Sequence, residues 1–245
     1  TRLAGKQSLR NYNNQVGVPL SLLAADPLDD YGVWELAASA PGEIGPLAEL
    51  AAPQIGVLTT IGDAHLEGFG SVRTVAATKG ELLDRLPSSG WAVLNGDDPW
   101  QRRMARRTLA QVVRVGRGGH CDLAATDVHW QPGRLEFTLD RLRFRVPVWG
   151  RHHLSSCLAA IAVADRLGVP REAAAHGLAD YAPLPGRCHI RRLDGLTVID
   201  DCYNANPCSQ RAALELLREM GGTGRKVVLT GDMLELGRET ETKHY

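Results

Sequence analysis

Three side chains in the first third of the chain could do chemistry. Glu35 closes the otherwise apolar run YGVWE, His65 stands in the glycine-bracketed loop GDAHLEGFG, and Lys79 sits in VAATKGELL among Ala, Val and Leu. A carboxylate at the carboxyl end of a strand lies where open α/β sheets bind ligands. Imidazole ligates metals or bonds to phosphate oxygens. A lysine desolvated among apolar residues is more readily neutral, and then nucleophilic. Further on, Arg187 follows Leu-Pro-Gly, and Asp200 and Asp201 end the apolar run LTVIDD. A guanidinium matches phosphate oxygens as a planar fork. Plainer alternatives stand beside each: a surface Glu35, a solvated His65, Lys79 paired with an acid, Arg187 bonding linker carbonyls, and aspartates capping a helix near Pro207. Asn11, Asn13 and Asn14 are residues that any turn favours. The arginines of RRMARR (102–107) read as the solvated face of a surface helix.

These residues need elements to hold them. Residues 31–39, 54–62 and 91–97 read as buried strands, 71–86 as a helix between two of them, and 111–117 as a further strand. That alternation predicts a parallel α/β sheet over about 28–118. After Gly119 the apolar residues switch to a period of two, which predicts a small antiparallel meander over 119–150. Helices follow at 153–167 and 171–181. Residues 182–186, APLPG, form the best linker. Beyond it, LTVIDDCYNANP, a helix over 209–220 and KVVLTGDM predict a β–α–β unit.

Composition restricts the function classes. With 28 Lys+Arg against 28 Asp+Glu in 245 residues, the formal charge is zero, which argues against nucleic acid as a partner. Hydrophobic residues at 44% are enough for a real core. The five cysteines make an odd set without a CxxC pair, so neither a disulfide framework nor a zinc site reads from their spacing. The longest apolar run, 158–164, is too short for a membrane span, and the opening TRLAGKQSLR lacks the apolar stretch of a leader. A cytoplasmic monomer without a membrane span is the expectation.

Eight motifs in order, NYNNQVGVPL, WELAASAPGEI, GDAHLEGFGS, ATKGELL, GRHHLSSCLAA, LPGR, DDCYNANP and LTGDMLELG, resemble the Mur ligase family. They are most similar to its branch that adds D-Ala-D-Ala to UDP-MurNAc-tripeptide. The resemblance implies an α/β fold: a parallel-sheet Mur ligase central domain with a small antiparallel meander (1–185), followed by a truncated Rossmann-like α/β domain (186–245). It implies an ATP-dependent peptide ligase of peptidoglycan precursor synthesis, working through an acyl phosphate with ATP and Mg2+. Its substrates would be the small molecules UDP-MurNAc-peptide and D-Ala-D-Ala. By the same resemblance Glu35, His65 and Lys79 are metal-site residues, with Lys79 carbamylated, and Lys79, His65 and Arg187 are catalytic. Arg187, Asp200, Asp201, Tyr203, Asn204, His153 and Ser156 lie on the nucleotide side, and Asn11, Asn13 and Asn14 on the substrate side.

The pattern also breaks. Gly5, Lys6 and Ser8 resemble a degenerate or incomplete phosphate loop, with Arg2 at a glycine position and Gln7 at that of the magnesium-binding hydroxyl. Such a loop needs a strand before it and a helix after it, yet NYNN follows Arg10 at once. His153 and Ser156 replace two amides expected at the adenine, and Cys202 replaces a serine. These departures support a second expectation, a catalytically impaired relative acting as a binding or scaffold module.

Overall fold

The computed structural model describes residues 3–222 and 224–245; Arg2, read above against a phosphate-loop glycine, lies outside them. Two short strands, β1 (Gly5–Gln7) and β2 (Tyr31–Val33), pair in parallel, with helix α1 (Gly17–Leu23) between them. Helix α2 (Ile44–Ala51) leads to the main sheet of four parallel strands, β3 (Ile55–Val57), β4 (Trp91–Asn95), β5 (Gln111–Gly116) and β6 (Leu123–Ala124), paired in that order. Helices α3 (Leu66–Phe69), α4 (Val72–Lys79) and α5 (Glu81–Asp84) connect β3 to β4, and α6 (Pro99–Met104) connects β4 to β5.

Parallel strands with short connections must be covered on both faces, and β4 shows how. Its Ala92 and Leu94 are buried against Ala48, Val75, Leu83 and Met104 on one side. Its Val93 is buried on the other side against the meander and the helix that follows. The meander consists of β7 (Thr126–Gln131), β8 (Arg134–Leu139) and β9 (Leu142–Val146). Phe137 and Phe144 face each other across β8 and β9 with stacked rings 5.0 Å apart, both fully buried. Helix α7 (Leu154–Arg166) adds Leu158 and Ile161 to this cluster, and α8 (Arg171–Ala179) packs on β9.

After 182–186, which form no helix or strand, β10 (His189–Leu193) and β11 (Leu196–Asp200) make an antiparallel hairpin. Asp194 (φ 44°) and Gly195 (φ 80°) form its turn, both left-handed as a type I′ turn requires. Helix α9 (Pro207–Glu219) starts from Asn206, whose side chain accepts from Ser209 N while the Ser209 hydroxyl accepts from Asn206 N. Helix α10 (Thr240–His244) is the last element. The stretch before it returns to the central unit: Met233 and Leu236 are buried in the same cluster as Phe69, and Lys243 Nζ lies 2.8 Å from Asp63. No helix among the described residues is long and apolar enough to cross a membrane.

Several expectations are corrected. The strand read over 31–39 stops at Val33 and lies outside the main sheet, because Ser8 Oγ takes the Glu35 N–H and Asn13 O takes that of Ala37. Residues 123–124 join the parallel sheet rather than the meander, since Ala125 N bonds to Gly116 O and carries the chain from one sheet to the other. The β–α–β unit is not formed: β11 pairs antiparallel with β10, and 226–233 are in no strand, because no described strand pairs with them. The phosphate-loop geometry is absent at Gly5 and Lys6. These residues are extended in β1, opposite Tyr31 and Gly32, and the next helix, α1, starts only at Gly17, too far on to present its amides at Gly5 and Lys6 as a phosphate loop does.

Close approach makes one glycine indispensable. A Cβ on Gly68 would stand 2.0 Å from the Ser39 carbonyl oxygen, so the 65–70 loop reaches the segment after Glu35 only without a side chain there. Gly177 in α8 has nothing within 4 Å of its Cβ position. Gly68→Ala is expected to cost about 1–3 kcal/mol through overpacking, and Gly177→Ala to add about 0.4–1 kcal/mol. Urea denaturation of the two variants checks both signs.

Candidate active site

Glu35 is positioned from three sides. Ser8 bonds to the Val33 carbonyl through its own N–H (2.9 Å) and accepts the Glu35 N–H at its hydroxyl (2.8 Å), which fixes the backbone where β2 ends. Asn13 Nδ2 donates to Glu35 Oε1 at 2.8 Å. Asn14 does something different: its Oδ1 accepts from Val16 N and Gly17 N and starts α1. Asn11 takes part in the turn through its carbonyl, which accepts from Asn13 N.

Lys79 is the last residue of α4 and half-buried. Burial pushes its amine below the usual lysine range, and the nearby Glu35 carboxylate opposes that shift. The fold therefore brings Glu35 and Lys79 within electrostatic reach of each other although 44 residues separate them. Beside them, Glu81 accepts from Gly42 N (3.1 Å) and Gly45 N (2.8 Å), tying the start of α2 to α5.

His65 is left-handed (φ 55°, ψ 34°) at the start of α3, an uncommon conformation for a residue with a side chain. Its Nδ1 pairs with the Glu235 carboxylate, and Glu67 N donates to Glu235 O at 2.9 Å. Its partner thus comes from the far end of the chain.

Just after the 182–186 linker, Arg187 lies with its guanidinium 4.2 Å over the Tyr203 ring, and Tyr203 N donates to Gly186 O. Asp201 Oδ1 accepts from Cys188 N at 2.9 Å. Asp200 accepts from Cys202, which holds its carboxyl below the ordinary range. Neither aspartate caps α9; Asn206 does. Asn204 accepts from Ala205 N, and Ser156 is exposed on the first turn of α7. The rings of His152 and His153 are 4.2 Å apart, and burial together with His152 pushes His153 down to about 4.

This geometry has relatives. Residues 1–164 match the family model described as the Mur ligase middle domain, and 186–245 match that of the Mur ligase, glutamate ligase domain. The chain belongs to the Mur ligase family. In an alignment of 245 positions that covers 96% of this chain, it is 40% identical to the UDP-N-acetylmuramoyl-tripeptide–D-alanyl-D-alanine ligase of Mycobacterium tuberculosis, covering 48% of that protein. The crystal structure of MurF from Acinetobacter baumannii superposes with a TM-score of 0.93 at 31% identity, covering 99% of this chain and 54% of that one. The structure of MurF ligase from Thermotoga maritima in complex with ADP gives 0.88 at 30% identity, covering 99% and 57%. The chain spans about half the length of the curated relatives it matches.

Within this Mur ligase frame, sequence reasoning missed Glu235 as the partner of His65, because nothing local connects positions 170 residues apart. It also missed Gln101, fully buried in α6, which accepts from Asn95 N (2.7 Å) and donates to Thr59 O (3.2 Å), joining the ends of β4 and β3. Its signal was a glutamine three residues before Met104, on the one face of α6 that is buried, and three residues after the helix cap Asp98. The low position of His153 has a measurable sign. Between about 4 and the ordinary 6.5 the unfolded chain binds more protons at this site, so folding stability falls as pH drops through that window. In metal-free protein the urea midpoint should fall less between pH 7 and 4.5 for His153→Asn than for the parent.

Proposed function

We propose that the chain is the part of an ATP-dependent amide ligase that carries its metal-phosphate centre, in an enzyme joining D-Ala-D-Ala to UDP-MurNAc-tripeptide in the cytoplasm as a monomer. The support is the ligase activity named for the relatives and one observation on this chain, the Glu35–Lys79 pair with Asn13 bonded to one oxygen of the carboxylate. A cationic lysine beside Glu35 would repel a metal, whereas a neutral amine can add to CO2. The N–C bond forms, the amine proton leaves to solvent, and a carboxylate replaces the cation. Glu35 and the carbamate of Lys79 would then hold Mg2+, which prefers oxygen ligands, and His65 would be able to join them only on leaving Glu235.

In the reaction, the tripeptide carboxylate attacks the γ-phosphorus of ATP and ADP leaves. The amine of D-Ala-D-Ala then attacks the acyl carbon, and phosphate leaves from the tetrahedral adduct. The bound Mg2+ supplies neutralisation of phosphate charge. The protein's share is positioning and electrostatics: Arg187 offers its fork to phosphate oxygens, Asp200 and Asp201 face the ribose with Tyr203 and Asn204, and Asn11 and Asn13 face the peptide substrate. His153 and Ser156 lie towards the adenine.

A second reading, a relative that binds without ligating, is favoured by His153 and Ser156 standing where the family has amides. Two measurements separate the readings. With 13C-bicarbonate and Mg2+, a carbamate resonance is expected in the parent chain and absent in Lys79→Ala. In the ligation assay Lys79→Ala is expected to lose at least about a hundredfold in rate and to recover in part with added acetate. A carbamate signal and ADP binding without amide formation would favour the binding module; no carbamate would sink the metal-site assignment.

A further inference from the structure

We infer a second metal site, for a thiophilic divalent ion of the zinc class, where His152, His153 and Cys188 meet at the seam between the central unit and the β10–β11 hairpin. It shares His153 with the adenine side of the ligase reading but is argued from the donor geometry alone. A ring nitrogen of each histidine and Cys188 Sγ all lie within 4.8 Å of one another. The Sγ to His152 Nε2 distance is 3.8 Å. Tetrahedral zinc, with bonds of about 2.3 Å to sulfur and 2.0–2.1 Å to nitrogen, sets such a pair about 3.5 Å apart. A shift of a few tenths of an ångström brings that pair to bonding geometry, and the His153 nitrogen lies within 4.8 Å of both.

The donors are held by their surroundings. His152 and His153 lie on the 3-10 turn Arg151–His153 that leads into α7. Gly150 (φ 97°) precedes them, and a Cβ there would stand 2.6 Å from His152 Nδ1. Cys188 is itself left-handed (φ 48°), its N–H bonded to Asp201 Oδ1, and it is buried with Trp149 and Leu216. A sparsely populated conformation on a residue with a side chain persists only when its neighbours impose it; here it accompanies an Sγ turned to His152. The Asp201 carboxylate, which accepts from Cys188 N, acts electrostatically on both Cys188 and His152.

A neutral imidazole has a lone pair to give a metal, and a thiol gives one as the thiolate. When the ion enters, the S–H bond breaks, an S–metal bond forms, and one proton passes to solvent. A rival cluster, Asp97, His120 and Cys121, is already engaged. Asp97 accepts from Arg117 N and Gly118 N, and His120 Nε2 bonds to Gly96 O at 2.7 Å. An ion at the first cluster would tie residues 152–153 to residue 188 across the 182–186 linker.

Cobalt(II) titration of chelator-treated protein tests this, because thiolate ligation gives a near-ultraviolet charge-transfer band and tetrahedral geometry gives intense visible bands. One equivalent should bind, and Zn2+ should displace it. The charge-transfer band should vanish in Cys188→Ser, weaken at least about tenfold in affinity in His153→Asn, and persist in Cys121→Ser. Circular dichroism reports folding; if Cys188→Ser does not fold, His152→Asn and His153→Asn carry the test. Absence of a thiolate band in the parent overturns the proposal. So does a band that survives these variants or disappears in Cys121→Ser.

Discussion

A parallel strand has no bare face, and that constraint organises the molecule. β4 runs through the middle of the main sheet with Ala92 and Leu94 on one side and Val93 on the other, each fully buried. Because side chains alternate across a strand, two separate apolar layers must exist. The helices between β3 and β5 supply one; the meander and α7 supply the other. The carboxyl ends of the strands are then the place left for loops, and Gln101 ties the ends of β3 and β4 together there.

The candidate site depends on a second sheet of only two strands. Ser8 ends the β1–β2 ladder by taking the Glu35 N–H with its hydroxyl, so the chain turns away from regular pairing where the carboxylate is needed. Gly68 lets the loop from His65 approach Ser39 behind it. Lys79 comes from the opposite direction, at the end of a helix whose Val75, Ala76 and Thr78 are buried. The desolvation that opposes its charge is thus a by-product of the same apolar layer that covers the sheet.

Where local periodicity and turn chemistry agree, the fold was legible in the sequence. The meander, α7, α8 and the linker stand where the residue pattern puts them, and β3 to β5 were recognisable as apolar runs. The hairpin of β10 and β11 was also legible, for Asp194-Gly195 between apolar segments is a strong hairpin signal, but the expectation of a β–α–β unit hid it. The Gly-Lys pair at 5–6 misled for a physical reason: a loop and a strand can share the same letters, and only pairing with Tyr31–Val33 distinguishes them. In the site, Glu35 and Lys79 were both singled out in the sequence, and the electrostatic contact between them comes from the fold. The His65–Glu235 pair and the His152, His153 and Cys188 cluster were not anticipated, since pairing over 170 and 36 residues leaves no local trace.

The hold of Glu235 on His65 has a thermodynamic consequence. The same glutamate binds Glu67 N through its carbonyl, and its neighbours Met233 and Leu236 are buried against the central unit. Whatever draws the imidazole to a phosphate or a metal must first compete with that carboxylate. Linkage is reciprocal: the free energy by which Glu235 weakens a ligand at His65 is the free energy by which that ligand loosens residues 233–236. Occupancy of the site and adhesion of residues 233–236 are therefore one equilibrium seen from two ends.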